Sequence, residues 1–491
     1  MMMETMEQKC KLENPVLEHN TIYFLTAALI YSVCFTIAFY KNYASVTFPL
    51  IIVGTLFLCG LFLKKSGIVW KTQNLYYVIP IVLLGISTML TTNLFTIFFN
   101  TVGILLLITV FMVQQVYPKN QWKFGRYIGN ILFLYLSMIP EIATPFSNLG
   151  KYIKRKRVIE QKNSNAKYIM TGIAIGFPML IFVVILLNSA DAIFSKYIGK
   201  GVQLLWNNIV VSTNLFLVIT LMLIGFFGIY TFLSALTLNN QPDSVREEKK
   251  KNPVIAITFT AMITAIYFIF SIIQIVFLFS GGLLLPEGYT YAEYAHQGFF
   301  QLLFLCIFNF VMVLCCMSMF EKNKWLKIIL LIFSGCTYVM IASSAYRMIL
   351  YISSYHLTFL RLLVLWFLAL LVVLMAGVMW NIGKKEISMF RFSVVVVTVF
   401  YLALSFSHFD YWIAKYNIAQ MENQMSYDDV YYLCNLSLDA APELSKIDQK
   451  SDYNNMLKDY FKQIREENQV TIRKFNLSKY QAIKAADSII Q

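Results

Sequence analysis

The sequence predicts an all-α fold: a polytopic transmembrane bundle of about 11 spans with a small extracytoplasmic helical tail at the C-terminal end. Three observations carry this. First, the 491 residues are 58% hydrophobic and only 13% charged, with a mean hydropathy of +0.63; a water-soluble domain of this length carries roughly twice that charged fraction. Second, apolar runs long enough to cross a hydrocarbon core of about 30 Å recur along most of the chain. Third, lipid offers backbone groups no partners, so such runs are helices. The ten-residue alternating segments of a membrane barrel are absent.

The elements follow in order. Residues 1–20 form a polar leader without a basic n-region or a small-residue cleavage site, so the first span is expected to act as an uncleaved insertion signal, with no signal peptide removed. Residues 21–117 are expected to hold four spans: Thr21 to Tyr40, Ala44 to Leu63, and two crossings between Tyr76 and Tyr117 separated at Thr91-Thr92-Asn93. Residues 118–167 are basic, with the run Lys154-Arg155-Lys156-Arg157 against only Glu141 and Glu160. They are expected to be cytoplasmic, with Tyr127 to Phe146 interfacial because Asn130, Pro140, Glu141 and Pro145 interrupt it.

Residues 168–409 read as a seven-span core. Its spans are Tyr168 to Leu187, Asn208 to Leu236, one opened by Pro253, one ending at Phe320, Ile328 to Ala345, Thr358 to Trp380, and one ending near His408. Proline is favoured in a first helical turn because the missing N–H would have no partner there. Outside the tail, roughly 25 Lys/Arg fall on one side of the alternating spans and about five on the other. The positive-inside pattern places the N-terminus in the cytoplasm and the C-terminus outside the cell membrane. The formal charge of +14 is therefore a mark of orientation, and no nucleic-acid partner is expected: a basic groove lined by stacking aromatics is not visible.

Residues 410–491 are the tail, with nearly balanced charge. Ser426 three residues before Asp429 predicts a capping box. Tyr453, Met456, Leu457, Tyr460, Phe461 and Ile464 make one apolar stripe at helical spacing. Tyr480, Ile483 and Ile490 predict a weaker third helix. Eighty residues form a marginal core alone, so the tail is expected to pack on itself or against the outer membrane face.

The candidate site is an outer-face polar cluster of Asp191, Arg347, His356, Arg361 and Asp410. Arg347, His356 and Arg361 lie in a stretch read as a surface turn leading into a span, and the two aspartates fall at outer ends of spans. Ionisable groups at that depth pair with each other, face a wet cavity or snorkel to headgroups. The expectation is that at least one arginine reaches an aspartate. His296, His356 and His408 share that side, but no spacing resembles a ligand motif, and no metal or cofactor is expected. The sequence carries no G-x-S-x-G, H-E-x-x-H or P-loop. Ser189 and Asp191 read as a turn or helix cap rather than as a nucleophile with its base. Six of the eight cysteines lie in apolar runs and pack as small polarisable side chains, and no C-x-x-C pair is present.

Four stretches together resemble a known family. They are NSADAIFSKYI, RMILYISSYHLTFLR, the junction Asp410-Tyr411-Trp412-Ile413-Ala414 with Asn417, and YYLCNLSLDAAPEL. Over about Tyr168 to Leu444 the chain resembles the bacterial membrane proteins of domain of unknown function 4173, related to 4153; a Gly often stands in that pattern where this chain has His356. The resemblance implies a polytopic bacterial membrane protein and brings no catalytic residue. The leading functional reading is an envelope binding, sensing or scaffold component, its partners the lipid bilayer and an envelope protein met by the tail. A transporter of a small or lipid-like solute and a membrane enzyme acting on an envelope lipid or polymer are the alternatives; enzyme chemistry is the least supported by motif.

Overall fold

The structure, a computed structural model, describes residues 15–68, 71–117, 124–157, 213–238, 250–279, 299–383, 388–421, 426–447, 453–467 and 471–490. Among these residues the fold is helical throughout, its one bridge pairing Lys251 with Phe320. Four helices lead the chain: α1 (Thr21–Phe39), α2 (Thr47–Lys65), α3 (Val78–Leu90, after a 3-10 turn) and α4 (Leu94–Val116). Next come α5 (Phe124–Ser137), α6 (Thr144–Arg157), α7 (Thr213–Leu238), α8 (Pro253–Phe279) and α9 (Phe299–Met319). The last three long apolar helices are α10 (Lys324–Tyr355), α11 (Phe359–Gly383) and α12 (Met389–Phe406). The tail is built of α13 (Phe409–Met421), α14 (Tyr427–Cys434), α15 (Asn454–Glu467) and α16 (Leu477–Ile490).

Eleven helical stretches among the described residues are long and apolar enough to cross a membrane. Many large apolar side chains on them are exposed, such as Phe57 at 66% and Met262 at 68%, as a lipid-facing surface requires. Membership of the eleven differs from expectation. Phe124–Arg155, read from sequence as partly interfacial, meets the length and hydropathy of a crossing, whereas the expected span Tyr168 to Leu187 lies outside the described residues.

The chain divides into two units, residues 1–41 with 134–240, and 42–133 with 241–491. In the first, α1 lies along α7 so closely that a Cβ on Gly225 would stand 3.1 Å from the Phe35 ring. Asn148 of α6 donates to the Tyr230 hydroxyl at 3.0 Å. Glu18, buried just before α1, pairs with Lys151 at 2.9 Å and with Arg155.

In the second unit, α8 to α11 enclose a core that includes Tyr267, Cys306, Val313, Phe333, Met340, Leu371 and Val378. Asn309 sits wholly inside it, accepting from the Tyr267 hydroxyl at 3.1 Å and donating to Thr337 Oγ1 at 3.1 Å. Asn100 does the same between α3, α4 and α12. It donates to Thr88 Oγ1 at 3.0 Å and accepts from Ser405 Oγ at 2.7 Å and Tyr401 Oη at 2.9 Å. Such bonds hold helices together in lipid, where apolar burial gives no preference for protein over acyl chain.

Small residues set the close approaches. A Cβ on Gly85 of α3 would meet Pro49 Cα of α2 at 3.3 Å, and one on Gly377 of α11 would lie 2.0 Å from Phe392 Cε1 of α12. The helix ends follow local chemistry. Gly67, at φ +69, closes α2 with its N–H on the Lys64 carbonyl and the Ile68 N–H on that of Leu63, a Schellman end. Asn93 caps α4 by accepting from the Thr96 N–H at 3.0 Å.

The expected surface turn after Ala345 is absent. Helix α10 continues to Tyr355, since the serines and tyrosines of that stretch permit helix and no proline or glycine stands there to break it. Only His356 to Thr358 connect α10 to α11.

The tail has its own core. Val430, Leu433, Ala440, Ala441, Leu444, Leu457, Phe461 and Ile464 are buried together with Ile413, Ala414 and Leu357. The capping box is formed, with Ser426 and Asp429 bonded reciprocally. The stripe from Tyr453 to Ile464 lies on α15, its Leu457, Phe461 and Ile464 buried. The expected third helix forms as α16, and its Ile483 packs against the tail core. Ser478, Ala482 and Ala486 are buried, while Tyr480 and Ile490 are exposed, because close helix contact selects small side chains over large ones.

Candidate functional site: carboxylates beneath the tail

The tail binds the turns that join the spans at one end of the second unit. The α3–α4 turn, Thr91-Thr92-Asn93, aims its hydroxyls and an amide at Asp439, the middle residue of the short 3-10 turn Leu438–Ala440. Asp439 Oδ2 accepts from Thr91 Oγ1 at 2.6 Å and contacts His408 Nδ1 at 3.0 Å. Asp439 Oδ1 accepts from the Thr92 N–H at 3.0 Å, Thr92 Oγ1 at 3.2 Å and Ser478 Oγ at 2.5 Å. One buried carboxylate therefore joins the α3–α4 turn, the end of α12 and helix α16 of the tail. Burial pushes this carboxyl up, but the bonds from His408, Ser478, Thr91 and the Thr92 amide outweigh it and hold it below the ordinary aspartate value.

Neighbouring contacts extend the clamp. Asp410 Oδ2 accepts from Asn93 Nδ2 at 2.7 Å and the Ser437 N–H at 3.1 Å. Asn476, fully buried, donates to the carbonyls of Ala44 and Thr91, each at 2.9 Å. The Val46 N–H donates to the Phe475 carbonyl at 3.0 Å. At the α10–α11 turn, Asn417 of α13 grips the Leu357 backbone with both ends of its amide, accepting from the N–H and donating to the carbonyl at 2.9 Å each. That grip steadies His356, whose φ of 63° and ψ of 179° lie where a glycine is at ease and other residues are strained by about 1–3 kcal/mol. His408, at φ 49°, is held by Asp439.

Of the five residues singled out from sequence, Asp191 lies outside the described residues, as do Ser189 and His296. Arg347 is half-buried within α10, not on a turn. Arg361 crosses the α10–α11 turn and donates to the carbonyls of Tyr355, at 2.5 Å, and His356, while its guanidinium lies 4.1 Å from the Tyr351 ring centroid. Its role here is a helix C-cap and a cation–π contact. Among the described residues Arg361 makes no pair with Asp410: carbonyls left open at the end of α10 claim its donors, and Asp410 is satisfied by neutral ones. Burial, ahead of the bond to the Phe359 backbone, pushes the Tyr432 hydroxyl pKa up, with Asp410 adding to the rise and Arg361 opposing it.

Asp439, Thr91, Thr92, Asn476 and Ser478 escaped the sequence reading. Asp439 stands inside YYLCNLSLDAAPEL, one of the stretches that carried the family resemblance, yet no spacing rule marks a carboxylate whose donors Thr91 and Thr92 lie over 300 residues away. Chemically, the cluster is a saturated acceptor. No group of three or more metal-ligating side chains occurs among the described residues.

No curated protein and no solved structure matches the chain. The family described as domain of unknown function DUF4153 matches residues 78–447, from the start of α3 to the middle of the tail. The match begins well before the expected Tyr168 and is to 4153. It covers Thr91, Thr92, His408 and Asp439 of the clamp but not Ser478. This chain therefore belongs to the DUF4153 family, a membrane-embedded helical protein with its matched region reaching into the tail.

Proposed function

We propose that the protein is a scaffold or binding component of a bacterial cell envelope. Its spans serve as a fixed base, and its extracytoplasmic tail is the surface offered to an envelope protein. The single observation behind this reading is that both tail-side carboxylates, Asp410 and Asp439, are taken up by donors of the same chain. Groups so occupied hold parts together; a catalytic acid or a transport relay needs a face open to its substrate. The distribution of charge supports this orientation. Lys64, Lys65, Lys71, Lys322, Lys324, Lys327 and Arg391 lie at helix ends away from the tail, where the positive-inside pattern puts cytoplasm.

The test uses Tyr427, Tyr431 and Ile472, exposed in the tail at 60%, 58% and 93%. A photoreactive residue at each, activated in living cells, should give a discrete adduct with one envelope protein. Asp439→Asn should abolish it by loosening the tail. Absence of any adduct at all three, with the tail still protease-resistant, would refute the reading. Solute uptake by proteoliposomes holding only this protein would favour the transporter.

A further inference from the structure

Helix α6 has a face that the described residues of the first unit leave uncovered. Pro145 and Asn148 are buried on its inner side, and Asn148 is bonded to Tyr230. Lys151 and Arg155 turn toward the same side and meet Glu18. On the opposite side, Phe146, Leu149 and Ile153 recur at i, i+3 and i+7 and are exposed at 65%, 36% and 39%. The stripe ends in a basic cluster: α6 carries five Lys/Arg in its last seven residues and no acid.

Charge decides what covers this face. Glu18 offsets one positive charge, and the helix C-terminus about half of another, which leaves a surplus at the end of an apolar stripe. A water-soluble partner would not match both features. A lipid carrying acyl chains below a negative phosphate matches both, and the chain is embedded in membrane. We propose that the outward face of α6 is a binding site for anionic phospholipid. The acyl chains lie along Phe146, Leu149 and Ile153, and the phosphate sits at the basic end, at Lys154, where Lys156 and Arg157 follow in the sequence.

The test is native mass spectrometry of the purified full-length protein, titrated separately with phosphatidylglycerol and phosphatidylcholine. The triple variant Lys154→Gln, Lys156→Gln, Arg157→Gln leaves the Lys151 and Arg155 pairing with Glu18 intact. Each basic residue near a phosphate is worth severalfold in affinity, so phosphatidylglycerol should bind about tenfold or more weakly to the triple variant, and phosphatidylcholine equally to both. A second variant, Phe146→Gln with Leu149→Gln, should weaken both lipids. Thermal unfolding in phosphatidylcholine checks that each variant is folded. Equal binding of the two lipids by the native chain, or a triple variant that retains phosphatidylglycerol, overturns the proposal. So does displacement of the lipid by millimolar inorganic phosphate, which would indicate a free-anion site.

Discussion

At the scale of the residue, Asp439 is the acceptor on which the tail turns. Replacing it with Asn keeps the volume but sets an amide N–H₂ against the surrounding hydroxyls. We expect Asp439→Asn to cost about 2–4 kcal/mol, measured as faster proteolysis between α13 and α16. The pH dependence has a definite sign. The folded carboxyl lies below its ordinary value, so its contribution is complete above that value and is lost as pH falls through the lower folded one. Protease protection of the native tail should fall in that acid window, and Asp439→Asn should lack the step. Arg361 makes a contrasting case. Its planar fork serves two carbonyls and a ring at once, so Arg361→Lys should recover only part of the stability lost in Arg361→Ala, measured by thermal unfolding. Tyr460 supplies a third. Its buried hydroxyl has no hydrogen-bond partner among the described residues, so Tyr460→Phe should leave tail stability unchanged or raise it, while Tyr460→Asp should open the tail by several kcal/mol.

At the scale of the element, packing is fixed by where side chains are missing. The 2.0 Å approach of a Gly377 Cβ to the Phe392 ring leaves no room for a methyl group between α11 and α12. Gly377→Ala should therefore lower the unfolding temperature in detergent, and Phe392→Ala in the same chain should restore part of it. These contacts also mark how far sequence can be read. Apolar runs, the capping box at Ser426 and the α15 stripe were legible because each is a local pattern. The continuation of α10 past Ala345 was not: nothing local distinguishes that polar stretch from a turn, and Ser353 makes its bond within the helix, to the Leu350 carbonyl. The contact face of α16 carries no such pattern. Large apolar residues draw the eye, but a tight contact is made by Ala482 and Ala486.

At the scale of the whole molecule, the spans and the tail are joined by bonds that no local pattern announces. Thr91 looked like part of a turn, and Asp439 like one acid of many. The charge alternation could place the tail at one end of the spans, but it could not say that the tail is clamped to the turns there. The central claim is that clamp, and one measurement tests it directly. In a chain with its native cysteines replaced, Val46→Cys and Phe475→Cys put two thiols where the backbones are joined at 3.0 Å. Oxidation in intact membranes should close this disulfide in most molecules, and adding Asp439→Asn should reduce the yield severalfold. A pair that stays reduced in the membrane, while a control pair within the tail core closes, would contradict the account.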